Sequence, residues 1–141
     1  MSQDCTSSQA DVIFVVDSSG SICDTDPDFT FGEDTTCNNW MDLLEFINLI
    51  IDELPISSDG SENRVALVRF ANDGQLIFDF DDNNFSKATI RSAVTSLPYV
   101  GGNTATAGGL QVVIDQLLDR NGNRADVDDI VIVITDGKST M

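Results

Sequence analysis

The sequence predicts an α/β fold: a mostly parallel sheet with helices on its faces and one antiparallel strand at an edge. Three observations carry this expectation. The runs DVIFVVD (11–17) and DDIVIVITDG (128–137) each hold five consecutive apolar residues, β-branched or aromatic, and each leads to an aspartate. A strand covered by helices on both faces needs such an unbroken run, because neither face meets water. Between the two runs lie apolar residues at helical spacing and a hairpin signal.

Taken in order, the run at 11–17 is the first strand. Trp40, Leu43, Leu44, Ile47, Ile50, Ile51 and Leu54 then recur at helical spacing, and Pro55 stops the helix. Residues 64–70 and 75–80 read as strands joined by Asn72-Asp73-Gly74, a strong hairpin signal. Ile90, Val94 and Leu97 mark a short second helix, with Asn83 or Asn84 near its start. Leu110, Val113, Ile114, Leu117 and Leu118 mark a third, closed by Asn121-Gly122. The run at 128–135 is the last strand. The hairpin supplies the antiparallel strand.

Length and composition bound the function. With 141 residues, 41% of them apolar, the chain suits one globular domain with a single sizeable core. Seven Lys and Arg against 24 Asp and Glu give a net charge of −17, which argues against nucleic acid and favours a cation binder or a soluble surface protein. No apolar stretch reaches the roughly 18 residues of a membrane span, so no membrane insertion is expected. The opening MSQDCTSSQ has neither the basic nor the apolar region of a signal peptide.

Cys23 and Cys37 bracket a polar loop. A bridge there closes about 15 residues and is worth roughly 3 kcal/mol in the chain-entropy model; the alternative is two free thiols. Cys5 is then left over for a partner outside this chain.

Ligands of open α/β sheets bind beyond the carboxyl ends of the strands. Asp17 and Asp136 both sit at such ends. Asp17 opens an Asp-x-Ser-x-Ser segment, so Asp17, Ser19 and Ser21 can present three oxygens to one point while Gly20 relaxes the backbone. A carboxylate and two hydroxyls suit Mg²⁺, Mn²⁺ or Ca²⁺ and not zinc. The chain has no histidine, which rules out an imidazole-based metal site and His-dependent nucleophilic catalysis. The segment 101–110, GGNTATAGGL, adds glycines and threonines ahead of a helix. It lacks the Gly-Lys-Ser/Thr ending of a phosphate-binding loop.

Together these pieces resemble the von Willebrand factor type A domain, including the inserted domains of integrins. That family carries a metal-ion-dependent adhesion site built from Asp-x-Ser-x-Ser, a Thr in Gly-Gly-x-Thr-x-Thr and an Asp in Thr-Asp-Gly. Asp17, Ser19 and Ser21 match the first element, Thr104 the second and Asp136 the third. The resemblance runs from about Ala10 to Lys138 and implies a Rossmann-like doubly wound fold.

It also implies that Ser19, Ser21 and Thr104 touch the cation directly or through water. Asp17 and Asp136 bind it or hold its waters. Mg²⁺ is the expected ion, with Mn²⁺ or Ca²⁺ as substitutes. An open coordination position then takes a Glu or Asp from a protein partner, such as collagen or another matrix protein, with no catalysis. The expected location is extracellular or at the cell surface.

The family's domain continues beyond the Thr-Asp-Gly turn. The chain is therefore read as a single domain, with a tail at 1–9, truncated after 135–137 and lacking the last strands and helices. That reading leaves 130–135 as an exposed edge open to self-association. It also leaves Cys5 without the distant cysteine with which relatives pair it.

Two alternatives remain. One places the same fold and metal inside the cell, in an assembly or regulatory subunit. The other makes Asp17 the nucleophile of a phosphoryl-transfer hydrolase with Lys138 nearby, although Ser19 stands where such sites want an acid. Two smaller signals are Asp24, Asp26 and Asp28, which imitate the start of a calcium loop without its Gly and Glu, and Asn84-Phe85-Ser86, an N-glycosylation triplet.

Overall fold

Strand β1 (Ala10–Asp17) lies inside a four-stranded sheet with β2 (Arg64–Phe70), β3 (Gly74–Phe78) and β4 (Asp128–Ile134), in the order β3-β2-β1-β4, which explains its unbroken apolar run. A computed structural model describes residues 9–18, 22–23, 37–101, 105–118 and 122–135. β1 pairs in parallel with β2 (Arg64–Phe70) and with β4 (Asp128–Ile134). Val12, Phe14 and Val16 point into one core cluster, and Ile13 and Val15 into another on the opposite face. Alternate side chains point to opposite faces, so both faces must be apolar.

The first face is covered by helix α1 (Asn38–Glu53) and helix α2 (Lys87–Thr95). Helix α1 buries Trp40, Leu44, Ile47 and Ile51, half-buries Leu43, Ile50 and Leu54, and ends before Pro55, as its spacing predicts. Trp40 donates its indole N–H to the Leu97 carbonyl at 3.1 Å, so its polar handle is satisfied inside the core. Cys37 caps α1, its sulfur accepting from the Trp40 N–H at 3.4 Å. For α2 the cap is Ser86, whose hydroxyl accepts from the Thr89 N–H at 3.3 Å; Asn83 and Asn84 stand before it.

The hairpin forms as expected, with β3 (Gly74–Phe78) antiparallel to β2 at the sheet edge. The strand stops at Phe78 rather than Phe80, because Asp79 turns the chain. Its carboxylate accepts from the Asp81 and Asp82 N–H groups at 2.9 and 3.0 Å. Phe80 remains buried, against the second cluster.

The second face is covered by α3 (Thr106–Val112), which passes directly into a π-helical turn (Val113–Leu117). The apolar face expected at Leu110, Val113, Ile114, Leu117 and Leu118 is therefore shifted. Val112, Val113 and Leu117 are buried, while Leu110 and Ile114 are exposed. Wider hydrogen bonds, such as Leu118 N–H to the Val113 carbonyl at 3.0 Å, rotate the stripe away from a 3.6-residue period. The helix ends by Leu118; Gly122, expected as its stop, sits beyond it with φ 88° and accepts from Arg64.

β4 departs from the expectation of two covered faces. Among the described residues it is the outer strand. Ile132 and Ile134 pack against the first cluster, whereas Ile130, Val131 and Val133 are 40–45% exposed. Cys23 and Cys37 are bridged, with Cα atoms 5.6 Å apart.

Candidate metal centre

The carboxyl ends of β1, β2 and β4 meet at one pole of the sheet, and Asp17 lies there with no solvent exposure. Thr135, just past β4, donates its hydroxyl to Asp17 Oδ2 at 2.6 Å. A buried carboxylate must be hydrogen-bonded or paired, and this contact also fixes which way it faces.

Ser18 organises the surroundings. It is fully buried; its N–H donates to the Phe70 carbonyl at 2.7 Å, locking the end of β1 to the end of β2. Its carbonyl accepts from Gly101 at 2.7 Å, and its hydroxyl accepts from the Val100 N–H at 2.8 Å. Gly101 has φ 77°, a conformation that other residues rarely adopt. Arg69 steadies the same loop by donating to the Pro98 carbonyl at 2.8 Å, and burial pushes its guanidinium pKa below the ordinary value. On the far side of the glycine-threonine segment, the Ala105 N–H donates to the Ala71 carbonyl at 2.8 Å.

Of the five sequence-predicted ligands, Asp17 is placed. Ser19, Ser21, Thr104 and Asp136 lie outside the described residues, as does the Asp24–Asp28 segment. Ser18, Gly101, Ala105 and Thr135 flank those ligands in the chain: Ser18 is tied to Phe70 at the end of β2, Thr135 to Asp17, and Gly101 and Ala105 to Ser18 and Ala71, the residues that follow β1 and β2. Among the described residues no group of three or more Cys, Asp or Glu is close enough to hold a metal. Sequence reasoning did not find Ser18 and Thr135. Their signal was position alone, each one residue from a predicted ligand in the chain. Gly108 and Gly109, read as preceding the helix, lie within α3; a Cβ on Gly109 would come within 2.9 Å of the Phe70 ring.

The donor chemistry fits a hard cation. Asp17 supplies a buried carboxylate, the motif elements hold hydroxyl and carboxylate residue types in the sequence, and imidazole is absent from the whole chain.

Comparison with known proteins defines the class. Residues 11–141 match the model of the von Willebrand factor type A domain, and the chain belongs to that family. Its relatives are matrix and integrin chains. It is 31% identical to mouse vitrin over 92% of this chain and 17% of vitrin. It is 34% identical to the mouse collagen alpha-1(XX) chain over 92% of this chain and 9% of that one. Mouse integrin alpha-M is 26% identical over 96% of this chain and 10% of the integrin. The chain thus spans less than a fifth of these relatives' lengths. Among solved structures, proximal thread matrix protein 1 from the mussel byssus, with zinc occupying its MIDAS motif, superposes with a TM-score of 0.75. That match has 29% identity and covers 95% of this chain and 30% of that one.

Proposed function

We propose that this chain is a divalent-cation-dependent protein-binding module of an adhesion or matrix protein. Asp17, Ser19, Ser21, Thr104 and Asp136 would hold the ion. The single observation that carries the reading is the burial of Asp17 at the carboxyl pole of the sheet, oriented by Thr135, in a chain that retains all three motif elements. The tethers from Ser18 to Gly101 and from Ala71 to Ala105 support it, because they anchor both ends of the segment that carries Thr104.

Mg²⁺ is the proposed ion, with Mn²⁺ or Ca²⁺ as substitutes; the zinc in the mussel protein's MIDAS motif supports a divalent cation without choosing among them. When bound, the ion supplies a Lewis-acidic position for a Glu or Asp of a protein partner. The residues of this chain exclude water around Asp17 and fix its direction. Integrin and collagen relatives make a matrix protein, collagen included, the proposed partner. The Cys23–Cys37 bridge favours an oxidising, extracellular setting over the intracellular alternative.

The thermal unfolding midpoint in EDTA, in millimolar Mg²⁺ and in millimolar Ca²⁺ tests this reading, beside Asp17→Ala/Asp136→Ala. A cation that binds only the folded state raises the midpoint by mass action. The shift is expected in the parent chain and absent in the variant. A cooperative transition indifferent to metal would overturn the proposal.

A further inference from the structure

Asn84 is the chain's sole asparagine followed two positions later by a hydroxyl residue, with no proline between. The loop that presents it, between β3 and α2, is tied down at nearly every other point. The Asn84 N–H donates to the Asp81 carbonyl at 3.2 Å, and the Ser86 N–H to the Asn83 carbonyl at 3.0 Å. Phe85 has φ 56° and lies beneath the Arg64 guanidinium, 4.7 Å from its ring centroid. Its ring also fills the space beside Gly60, where a Cβ would approach to 2.9 Å. Ser86 caps α2.

The Asn84 side chain differs. It is exposed and makes no hydrogen bond among the described residues, and its φ of 53° projects it from a left-handed turn. Its position in the fold also matters. Phe85 reaches Arg64, which begins β2, while Asp17 pairs with Phe70 at the end of β2. Seven residues of strand separate the two poles by about 20 Å.

We propose that Asn84 is an N-glycosylation site, carrying an N-linked glycan at the pole opposite the candidate metal centre. In the transfer, the Asn84 amide nitrogen bonds to the anomeric carbon of an oligosaccharide linked to a lipid pyrophosphate. The bond from that carbon to the pyrophosphate oxygen breaks, the lipid pyrophosphate leaves with the electron pair, and the amide gives up one proton. The fold then holds the bulky, solvated group where Asn84 already faces water, clear of the face that binds a partner. This inference rests on the extracellular reading above.

The test is expression in eukaryotic cells behind a secretory signal peptide, with cell and medium fractions pooled and treated with peptide-N-glycosidase. The expected result is a loss of mass on treatment, with Asn84 converted to aspartate in the peptide that contains it. Asn84→Asp, which tolerates the left-handed turn, is expected to abolish the shift, as is Ser86→Ala; Ser86→Thr is expected to preserve it. A chain with the Cys23–Cys37 bridge formed and no mass shift overturns the glycan and leaves the extracellular reading standing. A chain with free thiols and no shift overturns both.

Discussion

Arg124 closes over Asp11, its Nη2 lying 2.9 Å from Oδ1 of a carboxylate that has no solvent exposure. The Arg124 backbone N–H donates to Oδ2 of the same group at 2.6 Å, and Asn123 adds a further donor at 2.9 Å. The guanidinium also reaches the Glu62 carbonyl at 2.6 Å and the Ala10 carbonyl at 3.2 Å. The start of β1, the loop before β2 and the approach to β4 are thus clasped together at the pole opposite Asp17. Removing one partner of a buried pair strands the other's charge. Arg124→Ala is expected to cost about 3–5 kcal/mol in urea-induced unfolding. A loss below about 1 kcal/mol would show that the clasp does not hold the pole.

Thr135 gives the metal proposal a second handle. Thr135→Val removes the hydroxyl that orients Asp17 and is expected to weaken Mg²⁺ or Mn²⁺ binding about 10–100-fold by calorimetric titration. Thr135→Ser is expected to retain affinity. Equal affinity in Thr135→Val and the parent would remove Thr135 from the site.

The bridge between Cys23 and Cys37 spans a sequence separation of 14. Replacing both cysteines with serine is expected to lower unfolding free energy by about 3 kcal/mol in denaturant titrations. Part of the loss also falls on α1, since Cys37 is its cap.

Gly109 lets α3 sit directly on the sheet. A Cβ there would meet Phe70 at 2.9 Å and Val15 at 3.0 Å, and both are fully buried. Overpacking of this kind costs about 1–3 kcal/mol. Gly109→Ala is expected to lose that much by thermal or urea unfolding, whereas Ala107→Gly, at an exposed position of the same helix, is expected to lose about 1 kcal/mol or less.

Asp59 predicts a pH response. The Ser57 hydroxyl, aided by Ser61, holds its carboxyl down at about 2 against an ordinary 3.8. A depressed carboxylate stabilises the fold fully above the unfolded value. That contribution is lost as pH falls from 3.8 through about 2. Carboxyl NMR titration of Asp59 is expected to show the low midpoint, and Ser57→Ala to raise it.

Much of this molecule was legible in one dimension. The two apolar runs, the α1 stripe ending at Pro55 and the Asn72-Asp73-Gly74 hairpin are local patterns, and each appears where its residues placed it. The motif aspartate at 17 was legible because it follows an uninterrupted strand. Less legible were features that depend on a distant neighbour or on a small change of helical register. Leu110 and Ile114 satisfy the same spacing as Val113 and Leu117, and only the π-turn decides which of them faces the sheet.

The sequence by itself determined the order of elements, the parallel core and the chemistry offered at the strand ends, because periodicity and residue type are properties of a chain segment. Only the tertiary structure decided that two aspartates on one strand meet different fates. Asp11 is enclosed by Arg124, more than a hundred residues away, and Asp17 is turned by the Thr135 hydroxyl. Buried charge must be satisfied by whatever the fold brings within a few ångströms, and sequence distance carries no record of that proximity.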